Sequence, residues 1–263
     1  MKGLSKLLYI ALAALLLFPF GGRSGTVVAE DSVEDTAWDK EIDFDSLAEI
    51  EENFAFHFVS TQNERRSDEF NYSWTLADGA VQRVGNIDAY SDTVNIAIMT
   101  YTGNVYSDFE LSVDVRCGTA TSYWPVIGIR QQIPGKYYTT EGGGTGVFMQ
   151  QNGKITLWGP ISGGIVEKDI PDIDSYYSAV WHNIRILAVG TVLTVFVDGK
   201  EVLSSSVLST DYVKGYISLQ SVNNDCSFDN FKIRDLSSAA EIANEQNRYE
   251  RADEGIPLDD LIK

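Results

Sequence analysis

Between Glu41 and Leu236 the chain repeats one texture: short stretches in which apolar and polar residues alternate, separated by turn-forming pairs. In SDFELSVDVRC, Phe109, Leu111, Val113 and Val115 fall on one side. Ile155 and Leu157 do the same in NGKITLWG, and Ile184 and Ile186 in HNIRIL. A period of two is that of a strand with one buried face. In TVLTVFVDG, Val192, Thr194 and Phe196 alternate with Leu193, Val195 and Val197, so both faces are largely apolar and the strand belongs inside a sheet. Asp78-Gly79, Asn152-Gly153 and Asp198-Gly199 favour the positive φ of tight hairpins, whereas Gly142-Gly143-Gly144 reads as a looser loop. No helical period appears before Ser237, and no repeat of fixed length. Regularly spaced strands without intervening helices predict an all-β fold, a two-sheet antiparallel sandwich.

The two ends differ from this middle. Lys2 and Lys6 precede an apolar run from Leu7 to Phe18, and Val27-Val28-Ala29 offers small residues for cleavage. Residues 1–29 therefore read as a secretory signal peptide, its apolar run too short to span a membrane. The expected protein is secreted and not membrane-embedded. Residues 30–40 (EDSVEDTAWDK) form an acidic linker with little to bury. Residues 41–236 are the sandwich domain. At the C-terminus, Ser238 with Glu241 makes a capping box, and Ala239, Ala240, Ile242 and Ala243 continue it toward Gly255 and Pro257. Residues 237–263 are thus expected to be an acidic helical tail.

Composition narrows the function classes. The 263 residues are 44% hydrophobic and carry a formal charge of −18; loss of residues 1–29, with three bases and no acids, takes this to −21 over 234 residues. So negative a surface repels the phosphates of nucleic acid and of anionic membranes. Two cysteines and two histidines are too few for a zinc or iron–sulfur centre.

The succession SWTLADGAVQR, YSDFELSVDVR, VIGIR, GVFMQQNGKITLW, WHNIRILAVGTVLTVFVDGK, GYISLQSV and CSFDNFKI, covering roughly Trp74 to Ile233, resembles the concanavalin A-like jelly-roll sandwiches. Within these it is similar to laminin-G-like modules and to 3-keto-disaccharide hydrolase domains. The resemblance implies a two-sheet jelly roll, and it implies Arg130, which closes Gly128-Ile129-Arg130, as a site position of the second family. It also makes the strands ending at Cys117 and starting at Cys226 antiparallel neighbours. Pairing Cys117 with Cys226 sets Phe109 opposite Arg234 on one register, which implies a disulfide in an oxidising compartment. The spacing of Phe228 and Phe231, both core anchors, breaks strict alternation and predicts a bulge.

Candidate chemistry is sparse. Glu41-Ile-Asp43-Phe-Asp45 nearly matches the E-x-D-x-E strand that carries the nucleophile and the acid/base in family 16 glycoside hydrolases, but it ends in the shorter aspartate and stands at the start of the domain. His57 and His182 sit among apolar residues and read as structural. No cofactor is implied; Asp88–Asp92 and Asn223-Asn224-Asp225 offer oxygens to calcium without the ligand density of a calcium loop. The remaining constellation is a face. If Ile127, Ile129, Val147, Met149, Ile155 and Leu157 point inward, then Trp124, Arg130, Phe148, Gln150 and Trp158 point outward on a concave sheet, with Tyr137 and Tyr138 on the adjoining loop. Rings that stack on sugar faces, beside amide and guanidinium groups that bond hydroxyls, make a glycan groove. The expectation is a lectin-like domain that binds an extracellular glycan. The alternatives are a glycoside or 3-keto-glycoside hydrolase and a laminin-G-type module with a protein partner.

Overall fold

A computed structural model describes residues 37–60, 69–83, 95–117, 125–138, 141–150, 152–171, 180–222 and 225–237. They form two antiparallel sheets packed as a sandwich. One sheet runs β13 (Lys200–Ser206), β12 (Val192–Val197), β11 (Trp181–Val189), β6 (Phe109–Cys117), β15 (Cys226–Asp235), β4 (Ala80–Arg83), β3 (Trp74–Ala77), with β1 (Lys40–Ile42) also paired to β15. The other runs β10 (Val166–Asp169), β9 (Lys154–Trp158), β8 (Thr145–Gln150), β7 (Pro125–Gln131), β14 (Tyr216–Val222), β5 (Asn95–Tyr101), β2 (Phe54–Ser60). The all-β jelly-roll expectation holds. The predicted signal peptide and C-terminal helix lie outside the described residues, and no helix among the described residues is long and apolar enough to cross a membrane.

Alternation builds the core. Leu111, Ile186, Val195 and Ile233 from the first sheet are buried against Met99, Ile127, Val147, Leu157 and Leu219 from the second. β12 is an interior strand, as its two apolar faces require. At Asp78-Gly79 and Asp198-Gly199 both residues have positive φ (55° and 70°, 50° and 78°), the conformation of a two-residue hairpin turn. The Asp198 carboxylate also takes the Asn183 N–H at 2.9 Å and pairs with His182 Nδ1 at 2.7 Å, so this histidine anchors a turn.

Three expectations need correction. Two short helices, α1 (Leu47–Asn53) and α2 (Phe70–Ser73), precede Ser237. In α1, Ser46 caps the Glu49 N–H at 3.2 Å and only Ile50 and Asn53 are buried, too few positions to display a helical period. Cys226 does face Cys117, but one register does not serve the whole ladder. A bulge between Asp229 and Lys232, with Asn230 at φ 51°, sets Arg234 opposite Glu110 and Asp235 opposite Phe109. This is the bulge that the Phe228–Phe231 spacing predicts. Finally, the two cysteines are free thiols rather than a disulfide, and burial pushes both up to about 12.

Candidate functional site

The outward side chains of the seven-stranded sheet follow from its register. Gln220 pairs with Val126, Val126 with Phe148, Phe148 with Thr156, and Thr156 with Glu167, giving one row across five strands. The adjoining row is Ser218, Gly128, Gly146 and Trp158. Its glycines are shaped by what lies above and beside them. A Cβ on Gly128 would stand 2.3 Å from Ser218 Oγ, and one on Gly146 would stand 2.8 Å from Phe148 Cε2 and 3.1 Å from Tyr138 Cβ.

Residues 132–138, which follow β7, contact this face of the sheet. Gly135 N–H donates to Thr100 Oγ1 at 3.3 Å, Gln131 Nε2 donates to the Lys136 carbonyl, and a Cβ on Gly135 would be 2.4 Å from the His57 ring. The loop delivers Tyr137 and Tyr138 to an aromatic cluster. Tyr138 meets Phe148 edge-on at 4.6 Å and Trp158 at 5.8 Å; Phe148 and Trp158 are 6.3 Å apart. Phe148 is buried beneath, whereas Trp158 is 38% exposed. Gln150 is buried on the same face, two residues along β8 from Phe148.

Of the sequence-derived face, the structure therefore gathers Tyr137, Tyr138, Phe148, Gln150 and Trp158. Trp124 lies outside the described residues. Arg130 does not join them. It is 2% exposed at φ 51°, and its Nε and Nη2 donate to the Ser107 carbonyl at 3.1 and 2.7 Å, with Asp108 at 3.4 Å. The irregular register between Tyr216 and Ser218, opposite this turn in β7, redirects the guanidinium to the start of β6 in the other sheet.

Glu41, Asp43 and Asp45 are not on this face either. β1 pairs with β15 in the eight-stranded sheet, where Glu41 takes a hydrogen bond from Lys232 Nζ at 2.6 Å. Asp43 and Asp45 are exposed there, near the facing pair Asp114 and Asp229. Burial raises the Asp229 carboxyl above its ordinary value, helped by Asp114, Asp43 and Asp45 and opposed by the Asn230 N–H. A carboxyl pKa higher in the fold than in the unfolded chain means that ionised Asp229 lowers stability at neutral pH, a penalty that disappears as pH falls through the raised pKa. Asp229→Asn is thus expected to raise stability at pH 7 by about 0.2–1 kcal/mol, the range for like charges directly opposite on paired strands. Urea midpoints at pH 7 and in acid check this: the difference should shrink on acidification, and a variant no more stable at pH 7 refutes it.

The register also adds residues that the sequence did not single out. Thr156 Oγ1 and Gln220 Oε1 are buried on this face with no hydrogen-bond partner among the described residues. Glu167 and Asp169 alternate outward on β10, about 7 Å apart by strand rise. Glu167 pairs with Lys154 Nζ at 3.5 Å. Among the described residues no three His, Cys, Asp or Glu side chains converge as a metal set. Of the calcium candidates only Asp225 is among the described residues.

With this geometry in place, the chain can be compared with known proteins. The family pattern of the 3-keto-alpha-glucoside-1,2-lyase-like domain matches residues 58–234. Among solved structures, a protein of unknown function with a galectin-like fold from Bacillus subtilis is 9% identical over 75% of this chain and 96% of its own, with a TM-score of 0.52. A GlcNAcα1-4Gal-releasing endo-β-galactosidase from Clostridium perfringens is 9% identical, covers 74% of this chain and 62% of its own, and has a TM-score of 0.52. The carbohydrate-binding module CBM66 from Bacillus subtilis is 13% identical over 69% and 96%, at a TM-score of 0.45. At such identities the first two likenesses concern the fold alone. Comparison with curated proteins finds no match.

Proposed function

The chain belongs to the family of 3-keto-alpha-glucoside-1,2-lyase-like domains, and on that premise we propose that the outer face of its seven-stranded sheet binds a glycan without cleaving it. The observation that carries the reading is Trp158, 38% exposed beside Tyr138 and Phe148 and on the same face as Gln150. A half-exposed indole on a rigid strand presents a flat apolar surface to the C–H face of a pyranose, the contact on which the reading rests. The basic, apolar and small-residue succession of residues 1–29 adds export from the cell to the proposal, which brings the face to extracellular glycans.

A glycan-array screen of the wild-type chain beside Trp158→Ala tests it. Binding is expected to weaken about tenfold in the variant, the loss of roughly 1.4 kcal/mol of stacking. Equal binding by both proteins, or by neither, refutes the reading.

A cleavage reading has one observation in its favour: Glu167 and Asp169 project from the same face, at a spacing that leaves room for a water between a sugar and one carboxylate. The ion pair with Lys154 and the exposure of both acids favour the binding reading. Sugar released from an array hit, and lost in Glu167→Gln, would replace binding by cleavage.

A further inference from the structure

We propose that Thr156 and Gln220 form a recessed floor that reads sugar hydroxyls, and that Tyr138 is a roof which a bound glycan displaces. This rests on the saccharide reading above and adds the groups that select the ligand, its extent and its way in.

Gln220 is fully buried. Its Nε2 donates to Ser218 Oγ at 2.8 Å, which fixes the amide and leaves Oε1 without a donor among the described residues. Thr156, 1% exposed, leaves Oγ1 in the same condition. A buried acceptor without a donor is a standing penalty on the fold. Here two occur in one cross-strand row, on the outer face of a sheet whose inner face carries Met99, Ile127, Val147, Leu157 and Leu219 into the core. Both require an O–H or N–H from above, and sugar hydroxyls supply O–H groups.

The row also sets the ligand's extent. Gln220 on β14 and Thr156 on β9 are separated by β7 and β8, three strand spacings or about 14 Å. One monosaccharide does not reach both; a linear oligosaccharide lying across the strands does. Between the two positions the row consists of Val126 and Phe148, both buried, and the Tyr138 ring stands edge-on to Phe148 with its Cβ against Gly146. Tyr138 thus occupies the path such a chain would follow. The loop that carries it bonds the sheet through Gly135–Thr100 and Gln131–Lys136, and opening the roof moves the ring off Phe148 while the strands stay fixed. Keeping the roof closed lowers apparent affinity by the fraction of molecules that are open.

The test is calorimetric titration of the full chain with α- and β-linked gluco-oligosaccharides of one to six units, with melting temperatures measured in parallel. For wild type, affinity should rise with chain length. Thr156→Val should bind the longest oligosaccharides about three- to tenfold more weakly, the loss of one net hydrogen bond, with an unchanged or higher melting temperature because an orphaned polar atom has gone. Gln220→Met should lose affinity for long chains and leave the monosaccharide unaffected. Tyr138→Ala should bind more tightly. A Thr156→Val variant that melts lower and binds normally makes the hydroxyl structural and overturns the floor. Weaker binding by Tyr138→Ala makes that ring a stacking platform and overturns the roof. Both failures leave a Trp158-dependent interaction standing, whereas no binding by any member of the series removes the saccharide reading itself.

Discussion

Glu110→Ala is expected to remove about 3–5 kcal/mol of folding stability, the cost of breaking a buried ion pair by deleting one partner. Glu110 is 2% exposed on β6 and holds two cations. One oxygen accepts from Arg185 Nη1 at 3.0 Å; the other accepts from Arg234 Nε at 2.8 Å and from its Nη2. Both guanidinium groups are also set against rings, Arg185 4.2 Å from the Phe196 centroid and Arg234 5.4 Å from that of Trp38. Alanine would take from the buried Arg234 the carboxylate that its Nε and Nη2 bond, with aromatic faces as weak substitutes. Glu110→Gln keeps the shape and one acceptor and should cost less. Urea unfolding of both variants gives the answer, and a loss under about 1 kcal/mol for alanine would mean that water reaches the arginines readily.

The second large effect belongs to the core. Phe231→Ala is expected to cost about 3–5 kcal/mol, the range for truncating a buried phenylalanine. Its ring, fully buried, meets Phe54 at 5.5 Å and Tyr101 at 5.2 Å. These contacts join β15 of one sheet to β2 and β5 of the other. The bulge at Asn230 turns Phe231 inward, so a smaller residue empties a space that neither sheet can close alone. The urea midpoint should fall at constant m-value, and a drop worth less than about 1.5 kcal/mol would show that the aromatic neighbours collapse into the gap.

Much of the sandwich was legible because its rule is local. Alternation placed Leu111, Ile155 and Ile186 inside, and Asp-Gly pairs marked two hairpins. The same rule put Phe148 and Trp158 on one face, since they occupy neighbouring strands of a single hairpin. What stayed hidden is non-local or set by single dihedrals. Gln220 reads as an ordinary polar position in GYISLQSV until β14 is known to lie between β7 and β5. The outward alternation of Glu41, Asp43 and Asp45 carries no label for which sheet they face. Arg130 followed the alternation of VIGIR on paper, but its positive φ, unusual for a residue with a Cβ, turns it to the other sheet. The register around Cys117 was right up to one extra residue, which no count of positions reveals.

The strand order has a consequence for synthesis. The last two strands made, β14 and β15, are interior: β14 lies between β7 and β5, and β15 between β6 and β4. A chain still on the ribosome and finished only through β13 thus has both sheets split, β1 without its partner strand, and β4, β5, β6 and β7 each showing an unpaired edge rich in buried-type residues. Such edges recruit other chains. Residues Tyr216–Asp235 close both gaps in one passage, so the contacts they make are long-range and late. A stop codon before Tyr216 would yield no shorter domain, only four open edges.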